Sequence, residues 1–151
     1  MDLDHVFMEE ALAEARLGAA EGGIPIGSVL VIDGRIVGRG HNRRVQRGSA
    51  ILHGEMDCLE NAGRLPARDY ARATLYSTLS PCPMCSGSAL LFKIPRVVFA
   101  ENRTFVGAED WLRASGVELR NLDLPEAVEM MRSFIAEHPD IWEEDIAVEP
   151  R

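Results

Sequence analysis

Hydrophobic and polar positions divide the chain into segments of different period. Residues 4–21 are rich in Ala, Leu and Glu, with Gly22-Gly23 directly behind, which predicts a helix stopped by glycine. Residues 28–32 and 35–40 flank Asp33-Gly34, a strong signal for a two-residue hairpin. The polar segment 42–52 reads as a loop, and 53–62 as a helix closed near Gly63. Residues 74–78 favour a strand, 82–92 a helix and 96–100 a strand again. Such a strand–helix–strand unit predicts parallel strands joined by a right-handed crossover. A short helix over 109–115 ends at Gly116, and a further strand follows over 117–122.

The cleanest helical period lies at 125–137. Pro125 suits a first turn, and Ala127, Met130, Met131, Phe134 and Ile135 form one apolar stripe. That stripe is read as packing against a sheet rather than as a cofactor or partner face. Together the segments predict an α/β fold: a mixed sheet led by an antiparallel hairpin, with helices on both faces.

Composition narrows the classes. A length of 151 residues fits one domain over 1–151, long enough to bury roughly two thirds of its unfolded surface. The net charge of −8 argues against a nucleic-acid surface, and the run with Arg39, Arg43, Arg44 and Arg47 is the only basic candidate. No signal-peptide start and no apolar run of roughly 20 residues is seen, so neither secretion nor a membrane span is expected. Three cysteines give no disulfide framework, and thiolate chemistry suits a reducing, cytoplasmic setting. Cys58 reads as a buried residue on a helix face.

The candidate chemistry sits in two segments. His53-Gly54-Glu55 is followed by Pro81-Cys82-Pro83-Met84-Cys85, with Cys82 29 residues after His53. This set offers one imidazole, two thiols and a spare carboxylate. Three protein ligands on one zinc leave a fourth tetrahedral position open, as in catalytic sites; a structural site would want a fourth Cys or His. His5, His41 and His138 stand in no ligand-type spacing, and His41 reads as a satisfied loop or core residue. Cys82 and Cys85, three apart, share one face of a helix whose N-terminal end favours thiolate. A redox Cys-x-x-Cys pair would want thioredoxin-like surroundings, which are absent. A lone Glu55 would ordinarily be a solvated helix residue. Two positions from His53 it completes the H-x-E…P-C-x-x-C signature of zinc nucleobase deaminases, in which that carboxylate moves protons.

These segments resemble the cytidine deaminase superfamily and, within it, the fungal-type cytosine deaminases. The similarity runs from Glu21-Gly22-Gly23-Ile24-Pro25-Ile26-Gly27 through Gly38-Arg39-Gly40-His41-Asn42 and Gly48-Ser49-Ala50 to His53-Gly54-Glu55. It resumes at Leu59-Glu60-Asn61, Thr78-Leu79-Ser80-Pro81-Cys82, Ile94-Pro95-Arg96 and Glu101-Asn102, and ends with Trp142-Glu143-Glu144-Asp145-Ile146. The resemblance implies a three-layer αβα sandwich, a homodimer, one zinc per chain and hydrolysis of cytosine to uracil and ammonia, a step of pyrimidine salvage. By position it implies that Asn42 hydrogen-bonds the base and that the Gly54 N–H meets its carbonyl oxygen. Phe105 and Trp142 would close over the ring, with Ile26 and Leu79 as further walls. Asp145 would accept from the exocyclic amine, assisted by the Ser80 carbonyl, and the C-terminal helix would act as a lid. Without the resemblance, Trp142 would read as simple packing.

Two departures from that pattern bear on the pocket: Glu143 replaces an aromatic after the Trp, and Met56-Asp57-Cys58 replaces a more apolar and hydroxylic set. The alternatives are a deaminase of another amino-substituted ring (guanine, a related pyrimidine or a triazine), one acting on tRNA adenosine, or a non-catalytic zinc module. The acidic charge weighs against tRNA, and Glu55 against a module that needs no proton shuttle.

Overall fold

The computed structural model describes residues 2–149. Helix α1 (Leu3–Ala20) leads into the hairpin β1 (Gly27–Ile32) and β2 (Arg35–His41). A short α2 (Arg44–Arg47) precedes α3 (Gly54–Ala62), α4 (Ala67–Tyr70) and β3 (Ala73–Ser77). The chain continues through α5 (Pro83–Leu91), β4 (Arg96–Phe99), α6 (Glu109–Ala114) and β5 (Glu118–Asn121). It closes with α7 (Pro125–Glu137) and α8 (Pro139–Asp145). The strands form one sheet in the order β2-β1-β3-β4-β5. β1 is antiparallel to β2 and β3, whereas β3–β4 and β4–β5 are parallel, so the expected mixed sheet and parallel crossover both form.

The period-2 alternation of the strands divides the core into two. Leu30 and Ile32 of β1, Leu75 of β3 and Val97 of β4 face a cluster with Cys58, Leu59, Ala89 and Leu112 from α3, α5 and α6. Their neighbours Val29, Val31, Tyr76 and Val98 face the other side, against Met8, Ala11 and Leu12 of α1 and Ala127 of α7. Three layers result, because β1, β3 and β4 bury both of their faces. The expected place of Cys58 holds: it is fully buried, and burial pushes its thiol up to about 12, which makes it a poor nucleophile.

Close backbone contact fixes α3, the helix that starts at the chemistry. A Cβ on Gly40 would lie 2.5 Å from Cys58 N, and one on Gly38 2.6 Å from the Ala62 Cβ. Any larger residue there would push α3 off β2 and move its first turn.

Two expectations need correction, and one short helix had no counterpart among them. The segment 42–52 is not all loop: α2 forms within it, closed by Gly48 in the left-handed region (φ 58°). Helix α4 carried no usable period because it is one turn long. The apolar stripe of α7 also divides. Ala127 and Met130 pack on the α1 side of the sheet, but Met131, Phe134 and Ile135 join Ile24, Ile26, Leu79 and Trp142 beyond the sheet. The cause is length: a 13-residue helix outruns the strands, and its far end supports α8 instead.

Candidate active site

Three elements deliver the predicted donors to one place. His53 is the N-cap residue of α3 and Cys82 that of α5, both with extended backbone. Pro83 occupies the first helical position, where its missing N–H has no intrahelical partner to lose. Cys85 follows within the first turn and is fully buried.

His53 Nδ1 lies 3.3 Å from Cys82 Sγ and 3.7 Å from Cys85 Sγ, and the sulfurs are 3.6 Å apart. A tetrahedral zinc with bonds of about 2.3 Å to sulfur and 2.0–2.1 Å to nitrogen holds such donors roughly 3.5–3.8 Å apart. The separations therefore fit that ion, and among the described residues these three form the one compact group of potential metal ligands. The other ring nitrogen, His53 Nε2, lies 3.4 Å from Asp145 Oδ1. A carboxylate behind a ligating imidazole fixes its tautomer and orientation.

The titration of these groups reflects their crowding. Burial opposes charge on His53, but Asp145 and Cys82 outweigh it and push the imidazole up to about 10. Hydrogen bonding with Cys85, reinforced by His53, pulls Cys82 down to about 4. The same contact, with burial, holds Cys85 well above the ordinary thiol range. A cation between them would displace the shared protons, because a coordinating thiol is deprotonated. Glu55 is almost wholly buried, and burial, with the Cys82 charge second, raises its carboxyl. A carboxyl raised in this way takes up a proton more readily than a solvated one, as a group that must accept and return protons requires.

Above the donors lies a small cavity with an empty volume of about 290 Å³, its open mouth included. His53, Glu55, Cys82 and Asp145 give it polar groups, and Ile26, Leu79, Phe105 and Trp142 give it apolar walls. Phe105 meets Trp142 edge to face, with centroids 5.9 Å apart at 88°. Ser80 is in the wall, but its hydroxyl is committed: it donates to Glu109 Oε2 (2.6 Å) and accepts from Gly107 N (2.9 Å). Of its polar groups facing a ligand, the carbonyl remains. Gly107 is required there, since a Cβ would fall 1.8 Å from Pro81 O. Asn42 stands behind the wall, not in it, and Gly54, the first residue of α3, has no side chain to add to it. Asn42 is fully buried, donating through Nδ2 to Asp145 Oδ1 (3.2 Å) and accepting at Oδ1 from Arg44 N (3.0 Å).

Both departures from the family pattern lie outside this wall. Asp57 Oδ2 accepts from His41 N (3.1 Å) and Arg43 Nε (2.9 Å), bracketing Asn42 from the side of α3. Glu143 is half-buried on α8. Three of the four arginines of the basic run are engaged: Arg39 pairs with Glu10 and Glu14, Arg43 with Asp57, and Arg44 with Glu144 and Asp145, while Arg47 is exposed. His41 is buried between Glu14 and Glu21, as a satisfied core residue should be. Sequence reasoning missed Ile146 in the wall and Glu109 behind Ser80. Ile146 carried a signal as the apolar neighbour of Asp145, but Glu109 looked like an ordinary first-turn acid.

A mixed sheet with His/Cys/Cys donors at two helix starts and a buried carboxylate beside them defines a zinc-dependent deaminase. The family "cytidine and deoxycytidylate deaminase zinc-binding region" matches residues 1–101, and the chain belongs to it. The cytosine deaminase of Candida albicans is 51% identical over 140 residues, covering 92% of this chain and 93% of that protein. The tRNA-specific adenosine deaminase of Bacillus subtilis is 43% identical over 100 residues, covering 66% of this chain and 62% of that one. A structure from studies of A-to-I editing by tRNA:A34 deaminases superposes with a TM-score of 0.70 at 29% identity, covering 83% of this chain and 99% of that one. Zinc is thus the cofactor of the site.

Proposed function

We propose that this chain hydrolyses free cytosine to uracil and ammonia. The observation that carries the reading is the closure of the cavity by α8: Trp142 caps it and Asp145 supplies an acceptor, leaving space for one small ring. The nearly full-length match to a cytosine deaminase supports it, whereas the match to the tRNA enzyme leaves a third of this chain outside. The pairing of Arg39, Arg43 and Arg44 supports it too, because a polynucleotide would find those cations already engaged.

His53, Cys82 and Cys85 would hold zinc, which supplies Lewis acidity toward water at neutral pH. Glu55 takes the proton from the attacking water and passes it to the ring nitrogen beside the reacting carbon. It takes the remaining hydroxyl proton and delivers it to the exocyclic amine, which leaves as ammonia while the carbonyl of uracil forms. One buried carboxyl serves as base and acid because it is held within reach of both positions. Phe105 and Trp142 cover the ring, with Ile26 and Leu79 beneath. The Gly54 N–H meets the ring carbonyl, and Asp145, backed by Asn42 and assisted by the Ser80 carbonyl, accepts from the amine. A site that pairs each edge of the base rejects analogues leaving those groups unpaired.

The chain acts as one domain over 1–151 in a cytoplasmic salvage step, where a reducing setting preserves its thiolates. It works as a homodimer. In support, a groove between α3, α4 and the end of α5 is lined by Leu59, Leu65 and Phe92, and Leu91 beside it is 73% exposed. Among the described residues no helix is long and apolar enough to cross a membrane.

Ammonia release from a panel of free bases, cytidine and tRNA, with zinc measured alongside, tests the reading. Cytosine turnover with zinc present is expected; activity confined to tRNA or guanine would overturn it.

A further inference from the structure

The carboxylate of Asp145 is held in one orientation. Its Oδ1 lies 3.2 Å from Asn42 Nδ2, 3.2 Å from Arg44 Nη1 and 3.4 Å from His53 Nε2. Its Oδ2 takes no hydrogen bond among the described residues, on a side chain that lines the cavity. Three donors on one oxygen fix the plane of the group and leave the other oxygen to a ligand.

Of this set, Arg44 and Asn42 lie outside both the wall and the metal donors, and Arg44 is the one that carries a charge. Its side chain is only 12% exposed and is held along its length. Nε donates to Ala50 O (2.9 Å), while Nη1 and Nη2 fork onto Glu144 Oε1 (2.6 Å) and Oε2 (2.8 Å). Its backbone N donates to Asn42 Oδ1 (3.0 Å). One residue thus holds two buried polar groups, Asn42 through the main chain and Asp145, the group assigned to the amine of the base, through the guanidinium. The planar fork matters, because a point charge on a flexible stem cannot hold two neighbouring carboxylates in fixed directions.

We propose that Arg44 is a positioning residue for deamination, which holds the free oxygen of Asp145 toward the exocyclic amine of the base. The proposal rests on the free-base reading above. It places the effect of Arg44 on the amine alone. A ring that lacks the amine gains nothing from a correctly aimed Asp145.

The test compares wild type with Arg44→Met, Arg44→Lys and Glu144→Gln. Its readouts are cytosine kinetics, zinc content and inhibition by pyrimidin-2-one, the same ring without the amine. Misplacing a group by a fraction of an ångström lowers kcat/KM for cytosine by about tenfold or more in Arg44→Met. Arg44→Lys restores part of that loss, and Glu144→Gln, which removes only an exposed partner, stays within about threefold of wild type. Zinc remains at one per chain, and inhibition by pyrimidin-2-one changes by less than about threefold, since its affinity does not depend on aiming Asp145. Turnover by Arg44→Met within about threefold of wild type overturns the proposal, as does an equal loss of pyrimidin-2-one binding, the mark of a general structural role. If Arg44→Met does not fold, the same two comparisons on Arg44→Lys decide. An inert wild type defeats the free-base reading itself, whereas an active wild type matched by its Arg44 variants defeats this proposal alone.

Discussion

Asp145 Oδ1 lies 3.4 Å from His53 Nε2, which ties the last helix of the chain to the imbedded imidazole of the metal site. The same carboxylate lines the cavity. On the proposed reading, substrate recognition and metal binding therefore share one side chain. Asp145→Ala is expected to lower cytosine turnover and also to weaken zinc by about 10–100-fold, the usual cost of losing the carboxylate behind a ligating histidine. Glu143→Ala, outside the wall, should do neither. Steady-state rates and competition with a zinc chelator distinguish the two, and equal effects would place recognition elsewhere on α8.

Replacing His53, Cys82 or Cys85 with Ala should remove the metal and the activity together. Each donor lies within 4.8 Å of the others, and two protein ligands hold zinc poorly. Metal analysis of the purified variants checks this. Deamination by metal-free protein would refute the assignment.

Glu55→Gln should keep zinc and the fold while losing about 10²–10⁴-fold in turnover, since the amide is nearly isosteric but cannot carry the proton. Near-normal rates would move the proton shuttle to another group.

Removing residues from Ile141 onward takes away Trp142, Asp145 and Ile146, three parts of the cavity wall. Deamination should fall to background while zinc stays bound, though less tightly. In the intact protein cytidine should be a poor substrate, because a small cavity covered by α8 leaves no room for ribose. Full activity after truncation, or equal use of cytidine and cytosine, would contradict the lid.

Asp4 gives a prediction of pH dependence. Hydrogen bonds from Arg96, Tyr76 and Arg120 hold its carboxyl well below the usual range despite its burial. A depressed folded-state pKa contributes stability above the unfolded value of about 3.9, and that contribution is lost as pH falls further. Asp4→Asn should cost roughly 1.5–3 kcal/mol at neutral pH, as expected for hydrogen bonds to a charged group. Thermal melts should show the gap between wild type and Asp4→Asn narrowing below about pH 4, as the unfolded chain takes up a proton that the folded carboxylate still excludes. A gap independent of pH would assign the cost to packing.

Periodicity made the strands and long helices legible, because both faces of β1, β3 and β4 are apolar and the helices are amphipathic. The metal donors were legible for a different reason: their spacing is local to two helix starts, and zinc admits few donor sets. The walls formed by Phe105 and Trp142 followed from resemblance, since a lone aromatic has no signature of its own. What escaped was short or long-range. Helix α4 is a single turn, and the division of the α7 stripe depends on where the sheet ends. Arg44 looked like one charge in a basic run, because nothing in the order of residues places it against Glu144 and Asp145.

Residue types and their local spacing carried the chemistry and the layers: His53, Glu55, Cys82 and Cys85 as one unit, and a mixed sheet with helices on both faces. Such features depend on residue type and on spacing within single elements. The tertiary structure alone decided the limits of the site. It set the closure by α8, the commitment of the Ser80 hydroxyl to Glu109, the retreat of Asn42 behind Asp145 and the pairing of Arg39, Arg43 and Arg44. Each of these is a contact between segments far apart in the chain, fixed by how packed elements meet and not by the local preferences of the residues involved.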